Sequence, residues 1–195
     1  MKKRIAVFLM TAGVLMIIAA AAILVFNNYE NKKAQENAQQ LIGSLMNIID
    51  EEKTQYQEKD PFETQMKAVE IDGFDYVGYL FIPELGLELP VMSDWDASRL
   101  KISPCRYYGS TKTDNLVIAA HNYRSHFGYI GNLGQGSIIM FTDMEGETIT
   151  YSVISTEILM PTDVERVKDT GDDLILYTCT YGGASRITVR CDRVK

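Results

Sequence analysis

The first hydrophobic pattern in the chain is an uncharged run at residues 5–26, close to the N-terminus. As a helix this run would span about 33 Å, which is enough to cross the hydrocarbon core of a bilayer. A secretory signal would be shorter and would end at small residues. Here apolar residues continue beyond the alanines at 19–22, so we expect an uncleaved anchor. The basic cluster at residues 2–4 predicts a cytoplasmic N-terminus, with the rest of the chain extracytoplasmic.

A polar, helix-favouring stretch follows at about residues 31–58. Its apolar residues recur at three- and four-residue spacing and form one stripe, made of Leu41, Ile42, Leu45, Met46 and Ile49. We predict a stalk helix that lies on the following domain. A helix that binds a partner or a second copy is the alternative. Asp60-Pro61-Phe62 ends the pattern, because a proline disfavours helical conformation in the residue before it.

From about Asp75 the pattern changes to short strands separated by turns. The predicted strands cover residues 76–82, 87–91, 116–120, 137–142, 147–155 and 174–179, with a last strand that begins at Arg186 and a candidate extension of the sheet at 157–160. Short helical elements are predicted at 97–101 and 161–167. Many short strands with little helix predict a mainly β fold, an antiparallel or mixed barrel.

The sequence is therefore expected to comprise a basic cytoplasmic tail (1–4), a transmembrane anchor (5–26), a helical stalk (27–74) and a β-barrel domain (75–195). Apolar residues make up 46% of the chain and charged residues 23%, which is the composition of a folded protein. The formal net charge is -7, and such an acidic balance argues against a nucleic-acid partner.

The last two predicted strands bring a thiol and a cation together. Cys179 ends an apolar strand and Arg186 begins the next one, so a hairpin would place both at its turn end. A neighbouring base or cation favours the thiolate, which is the nucleophilic form of cysteine. The alternative is a buried cysteine that only packs. The chain has three cysteines, Cys105, Cys179 and Cys191. Because three is an odd number, at least one of them cannot be in a disulfide within the chain.

Two histidines are candidates for the base beside that thiol. His121 directly follows the buried strand at 116–120, which would hold its backbone rigidly, whereas His126 lies within a loop. We therefore favour His121 on geometry. The sequence has no C-x-x-C or H-x-x-x-H spacing, phosphate-binding loop or calcium loop, so we expect neither a metal site nor a cofactor.

Several short motifs resemble those of the sortases, the membrane-anchored cysteine transpeptidases of Gram-positive bacteria. The motifs are Ala120-His121-Asn122, Leu176-Tyr177-Thr178-Cys179, Arg186 in the following strand, and an opening hairpin of Gly78-Tyr79-Leu80-Phe81-Ile82-Pro83 with Leu89-Pro90-Val91. The family's cysteine motif is T-L-x-T-C, and Ile175 replaces its first threonine here. The resemblance extends over about residues 75–194 and rests on the shared order and spacing of the motifs.

The resemblance implies an eight-stranded sortase-type β-barrel with short helices. It also implies Cys179 as nucleophile, His121 as general acid/base and Arg186 as electrostatic stabiliser. Thr178, Tyr181 and Asn122, which adjoin these motifs, are the candidate substrate-binding residues. The implied substrate is a surface protein with a C-terminal sorting signal, cleaved through a thioester. The acyl group would then pass to an amine of a cell-wall precursor or of another protein such as a pilin.

The sortase subclass is left open by the sequence. The helical stretch before the barrel resembles the N-terminal extension of class B sortases. In contrast, Asp60-Pro61-Phe62 and the segment 178–182 resemble the lid and active-site segments of pilin-polymerising sortases. Two other functions remain open as well: a membrane-anchored extracytoplasmic cysteine peptidase that uses the same cysteine and histidine, and a catalytically inert, tethered binding domain.

Overall fold

The computed structural model describes residues 2–54, 63–168 and 170–195, in two compact units that comprise residues 1–33 and 34–195. Helix α1 (Lys2–Thr54) is assigned as one helix, where the sequence predicted an anchor and a separate stalk helix. Within the described residues, one helix is long and apolar enough to cross a membrane. The apolar side chains of its first part are exposed, as a lipid-facing surface would be.

The second part of α1 packs against the β domain through its apolar stripe. Leu41, Leu45 and Ile49 are buried in one cluster with Tyr76 and Met144 of the β domain. The prediction of a helix that lies on the domain is therefore confirmed. The end of that helix at Asp60-Pro61-Phe62, and a lid formed by these residues, lie outside the described residues.

Within the residues that the structure describes, nine strands form the β domain. They are β1 (Val69–Ile71), β2 (Phe74–Ile82), β3 (Leu87–Met92), β4 (Cys105–Tyr108), β5 (Leu116–Ala120), β6 (Ile138–Asp143), β7 (Thr148–Leu159), β8 (Leu174–Cys179) and β9 (Arg186–Arg193). The hydrogen-bonded order is β1-β2-β3-β4-β5-β8-β9-β7-β6, and a further pairing of β2 with β6 closes strands β2 to β9 into a barrel. The predicted eight-stranded, mainly β barrel is confirmed, and β1 is a short addition to its edge.

The barrel is mixed rather than purely antiparallel. Strands β3 and β4 pair in parallel, as do β5 and β8, and the other neighbours are antiparallel. Short 3-10 turns connect strands at Pro83–Leu85, Arg99–Lys101, Ile130–Asn132 and Val164–Val167. The helices predicted at 97–101 and 161–167 are thus 3-10 turns, while β1 and β4 were not predicted because they are too short for a clear alternation.

Gly78 allows the barrel to close. Its φ of +146° is rare for residues with a side chain, and β2 is irregular between Tyr76 and Gly78. A Cβ at this position would lie 2.1 Å from the backbone oxygen of Thr142 on β6. Only glycine therefore permits the close approach of β2 to β6.

Strands β5 and β8 are buried on both faces, and this determines where reactive side chains lie. Leu116, Ile118 and Ala120 belong to the barrel core with Leu174 and Leu176. The alternate residues belong to a smaller cluster on the outer face, which contains Val117, Leu159, Val167 and Ile175. Because successive side chains of a strand point to opposite faces, Cys179 at the end of β8 follows Ile175 to the outer face.

Candidate active site

The hairpin of β8 and β9 sets Cys179 directly opposite Arg186, as the sequence predicted. Its turn is closed by two backbone hydrogen bonds: Thr180 donates to the carbonyl of Ser185 at 2.9 Å, and Gly183 donates to the carbonyl of Thr180 at 2.9 Å. Gly182 and Gly183 have φ of +85° and +76°, a left-handed conformation that glycine adopts without strain. The turn residues therefore fix the register that brings the thiol and the guanidinium together.

The parallel pairing of β5 with β8 brings His121 to the same rim. Ala120 pairs with Thr178, so His121 and Cys179 are the next residues along two adjacent strands. Adjacent strands are about 4.8 Å apart, so the two backbones leave the sheet side by side. The buried Thr178 hydroxyl donates to the carbonyl of Ala120 at 2.8 Å and joins the two strand ends. Its side chain therefore holds the scaffold rather than facing solvent.

Cys179 and Arg186 line a groove of about 200 Å³ on the outer face of the barrel. The groove walls are mostly apolar and aromatic, and include Trp95, Tyr107, Pro161, Val164 and Tyr177. The ring of Tyr107 meets Trp95 edge-on at 5.7 Å and stacks on Tyr177 at 6.2 Å, measured between ring centroids. Such a wall can bind apolar side chains of an extended peptide next to the thiol.

Arg186 is half-buried and is held by its own turn. Its Nη1 donates to the carbonyls of Gly183 and Ser185, each at 3.0 Å. Partial burial raises the pKa of Tyr177, and the nearby Arg186 guanidinium opposes that rise. Arg186 also lines the groove, and its guanidinium carries further N–H donors that can bind a carbonyl oxygen.

Arg190 lies on the same face of β9 but is bound on all sides. Its side chain is 15% exposed; it pairs with Glu157 at 2.5 Å and with Asp172, and its Nη2 donates to the carbonyl of Arg166 at 2.6 Å. Since β9 rises by about 3.3 Å per residue, Arg190 is also roughly 13 Å from Arg186 along the strand. Arg190 therefore links β9 to β7, and its N–H donors are already used in these contacts rather than available to a ligand.

The two histidines occupy different environments. His121 is half-buried; its Nδ1 lies 3.0 Å from Oδ1 of Asn122, and its ring stacks on Tyr123 at 4.1 Å with planes 5° apart. His126 is completely buried, and burial lowers its pKa to about 4, with the charge of His121 acting in the same direction. His126 is therefore a neutral core residue, which leaves His121 as the histidine at the rim.

The three cysteines differ in the same way, and all of them are free thiols. Cys105 and Cys191 are completely buried, and burial raises the pKa of Cys105 to about 11 and that of Cys191 well above its ordinary value. Both remain protonated at neutral pH. Cys179 is half-buried at the groove, where a substrate can reach it.

The three candidate substrate-binding residues have separate surroundings. Thr178 is buried and bonded to the backbone of Ala120, as described above. Tyr181 is 96% exposed at the tip of the hairpin turn. The Asn122 side chain bridges two segments: its Oδ1 faces His121, and its Nδ2 donates to the carbonyl of Thr180 at 3.3 Å.

Sequence reasoning missed the wall of the groove. Trp95, Tyr107 and Tyr177 lie on three separate segments, and nothing in their local pattern indicates that they meet. The one available signal is compositional, since Trp95 is the single tryptophan of the chain and stands in a polar stretch. Large aromatic residues in polar surroundings often mark binding surfaces.

The family comparison identifies a domain, and the structural comparisons show its fold. The Sortase domain model matches residues 80–194, which is more than half of the chain. Sortase C-3 of Streptococcus pneumoniae is 23% identical, with a TM-score of 0.57 over 86% of this chain and 84% of that one. Sortase C1 of Streptococcus agalactiae is 27% identical, with a TM-score of 0.56 over 65% and 71%.

A third similar structure is sortase C of Clostridium perfringens, which was solved with the C-terminal cell wall sorting motif. It is 21% identical, with a TM-score of 0.55 over 80% of this chain and 90% of that one. No curated protein matches the chain. These likenesses show the eight-stranded mixed barrel.

The burial of His126 predicts a loss of stability in acid. An unfolded histidine binds a proton below about pH 6.5, but His126 in the folded chain does not until about pH 4. The free energy of unfolding should therefore fall by about 3 kcal/mol as the pH drops from about 6.5 to about 4. Urea midpoints across this range measure it. His126→Phe should remove this component and His121→Ala should retain it; equal pH dependence in wild type and His126→Phe would contradict the assignment.

Proposed function

The chain belongs to the sortase family of cysteine transpeptidases, and we propose that its catalytic residues are Cys179, His121 and Arg186. The observation that carries this proposal is the shared rim of β5, β8 and β9: it brings a half-buried thiol and a guanidinium to one groove, and the histidine follows the neighbouring strand end. A nucleophile, a proton carrier and an oxyanion donor are the groups that acyl transfer needs.

In the first half of the reaction, the Cys179 thiolate attacks a backbone carbonyl of the substrate. The developing oxyanion is stabilised by the Arg186 guanidinium, which the turn carbonyls hold in place before the substrate arrives. His121, in its protonated form, gives its proton to the leaving amine as the C–N bond breaks. The acyl group is then a thioester on Cys179.

In the second half, an amine acceptor attacks the thioester. His121, now neutral, removes a proton from the amine, the new amide bond forms, and the Cys179 thiol is released. A peptidase that used the same residues would give the acyl group to water instead. The two reactions differ only in the acceptor, so the product distinguishes them.

Sortases act on substrates that carry a sorting motif, and we propose a C-terminal sorting signal of a surface protein as the substrate here. The apolar and aromatic wall of the groove, with Trp95, Tyr107 and Tyr177, suits an extended peptide with apolar side chains. Tyr181, exposed at the turn tip, is proposed as a contact for substrate outside the groove. The acceptor is proposed to be an amine of a cell-wall precursor or of a pilin.

For the subclass, we propose a pilin-type, class C enzyme rather than a class B one. The structures named above are class C sortases by their names. The helical extension that suggested class B also packs on the barrel here through Leu41, Leu45 and Ile49. The likeness to sortase C-3 of Streptococcus pneumoniae covers 86% of this chain, which is more than the barrel alone, so a helix before the barrel does not favour class B.

We further propose that residues 5–26 anchor the enzyme in the cell membrane. On this proposal residues 1–4 are cytoplasmic, and residues 27–74 and the catalytic barrel at 75–195 are extracytoplasmic. The support is the exposed apolar surface of the first part of α1 and the basic cluster before it. Protease added to intact protoplasts should digest the barrel; protection of the barrel would contradict this orientation.

The direct test of the function is a ligation assay. The full-length chain in detergent is incubated with a library of peptides bearing C-terminal cell-wall sorting motifs, together with one acceptor peptide with a free N-terminal amine and one with a lysine side chain. We expect a cleaved peptide joined to one acceptor, because the thioester reacts faster with a bound amine than with water. Release of the hydrolysed peptide alone in the presence of both acceptors would indicate a peptidase instead.

The two arginines of β9 should respond differently to substitution. Arg186→Ala should lower turnover by about 10²-fold or more, as the loss of one oxyanion donor does. Arg186→Lys should recover part of this, because an ammonium group replaces a planar fork of donors. Arg190→Ala is the matched control: it should lower stability through the loss of its pairs with Glu157 and Asp172, with turnover per folded molecule close to wild type.

Peptide-cleavage rates, with folding checked by circular dichroism, decide between these outcomes. A folded but inactive Arg190→Ala beside an active Arg186→Ala would show that the two roles are reversed.

A further inference from the structure

We propose that Asn122 is a positioning residue that fixes the tautomer of His121, rather than a contact for substrate. The inference rests on the proposed role of His121 in proton transfer. Asn122 is not among the described residues that line the groove, and both polar ends of its amide are directed at the catalytic segments. One end faces the His121 ring and the other faces the turn that follows Cys179.

The carbonyl of Thr180 determines which way the Asn122 amide points. A backbone carbonyl can only accept hydrogen bonds, and this one accepts from the amide nitrogen of Gly183 at 2.9 Å and from Nδ2 of Asn122 at 3.3 Å. With the amide reversed, the oxygen of Asn122 would lie against the oxygen of Thr180, and two acceptors would repel each other. Oδ1 of Asn122 must therefore face His121.

The amide orientation in turn assigns the protons of His121. Oδ1 of Asn122 is an acceptor, and it lies 3.0 Å from Nδ1 of His121, so Nδ1 carries a hydrogen. In the neutral ring, Nε2 then has the free lone pair. Nε2 is consequently the atom that takes the proton from the Cys179 thiol and later gives it to the leaving amine.

Two further contacts hold this arrangement in place. The Tyr123 ring lies parallel to that of His121, at 4.1 Å between centroids, which restricts rotation of the imidazole. Thr180 is itself fixed, because its amide and hydroxyl both bond to Ser185. Asn122 thus ties the segment after β5 to the turn after β8, and so keeps His121 in register with Cys179.

The test compares Asn122→Ala and Asn122→Asp with the control Asn132→Ala, an exposed asparagine in the Ile130–Asn132 turn. Alanine removes both hydrogen bonds. Aspartate loses the bond to the Thr180 carbonyl but keeps an acceptor for Nδ1–H, so it should retain the tautomer, and its charge should favour the imidazolium and move the acid side of the pH–rate profile to higher pH. The control should behave as wild type in every measurement.

The first measurement needs no substrate. Nitrogen-15 shifts of the imidazole rings in the full-length chain, with the His121 signals assigned by their loss in His121→Gln, report which ring nitrogen is protonated. We expect the Nδ1–H form in wild type and Asn122→Asp, and a shift toward Nε2–H in Asn122→Ala. An Nε2–H ring in wild type would overturn the inference, even if no peptide in the library is a substrate.

The second measurement is the kinetics of peptide cleavage. Asn122→Ala should lower kcat by roughly 10- to 100-fold, as the loss of a group that orients a histidine does, with KM little changed. Asn122→Asp should recover part of kcat. A raised KM with unchanged kcat would mean that Asn122 binds substrate, and equal losses in the two variants would mean a purely structural role; both results contradict the positioning role. A wild type without turnover would count against the proposed function and leave the tautomer result to decide.

Discussion

The site depends on the pairing of β8 on both of its edges. β5 lies parallel to it on one side and β9 antiparallel on the other, so the end of β5, the end of β8 and the start of β9 meet at one rim. Register is what matters in this arrangement. A slip of one residue would turn the Cys179 side chain toward the barrel core, because side chains alternate between the faces of a sheet.

The register is set by features away from the reactive groups. Inside the barrel, the apolar side chains of β5 and β8 pack in the core, and outside it Val117 and Ile175 pack in a second cluster. The Thr178 hydroxyl joins the strand ends, and Arg190 of β9 binds Glu157 of β7 and Asp172, which lies just before β8. The scaffold thus determines the position of the catalytic groups before any substrate binds, as preorganised catalysis requires.

Much of this could be predicted from the sequence, because the signals are local. The continuous apolar run of β5 predicted a buried strand, and the spacing of Cys179 and Arg186 around a glycine turn predicted the hairpin register. What could not be predicted depends on contacts between distant segments. The groove wall of Trp95 and Tyr107 is of this kind, and so is the bond from Asn122 to the Thr180 carbonyl, across 58 residues. Asn122 became a candidate for substrate binding through its place in the Ala120-His121-Asn122 motif, and nothing in the local sequence indicates the bond to Thr180.

The most direct test of the central claim is to trap the acyl-enzyme. The full-length chain is incubated with sorting-motif peptides without an amine acceptor, quenched in acid, and digested for mass spectrometry. The account predicts a hydroxylamine-sensitive thioester that maps to Cys179 and is absent from Cys179→Ala, while Cys105 and Cys191 stay unmodified. An acyl adduct on another residue, or cleavage that persists in Cys179→Ala, would contradict it.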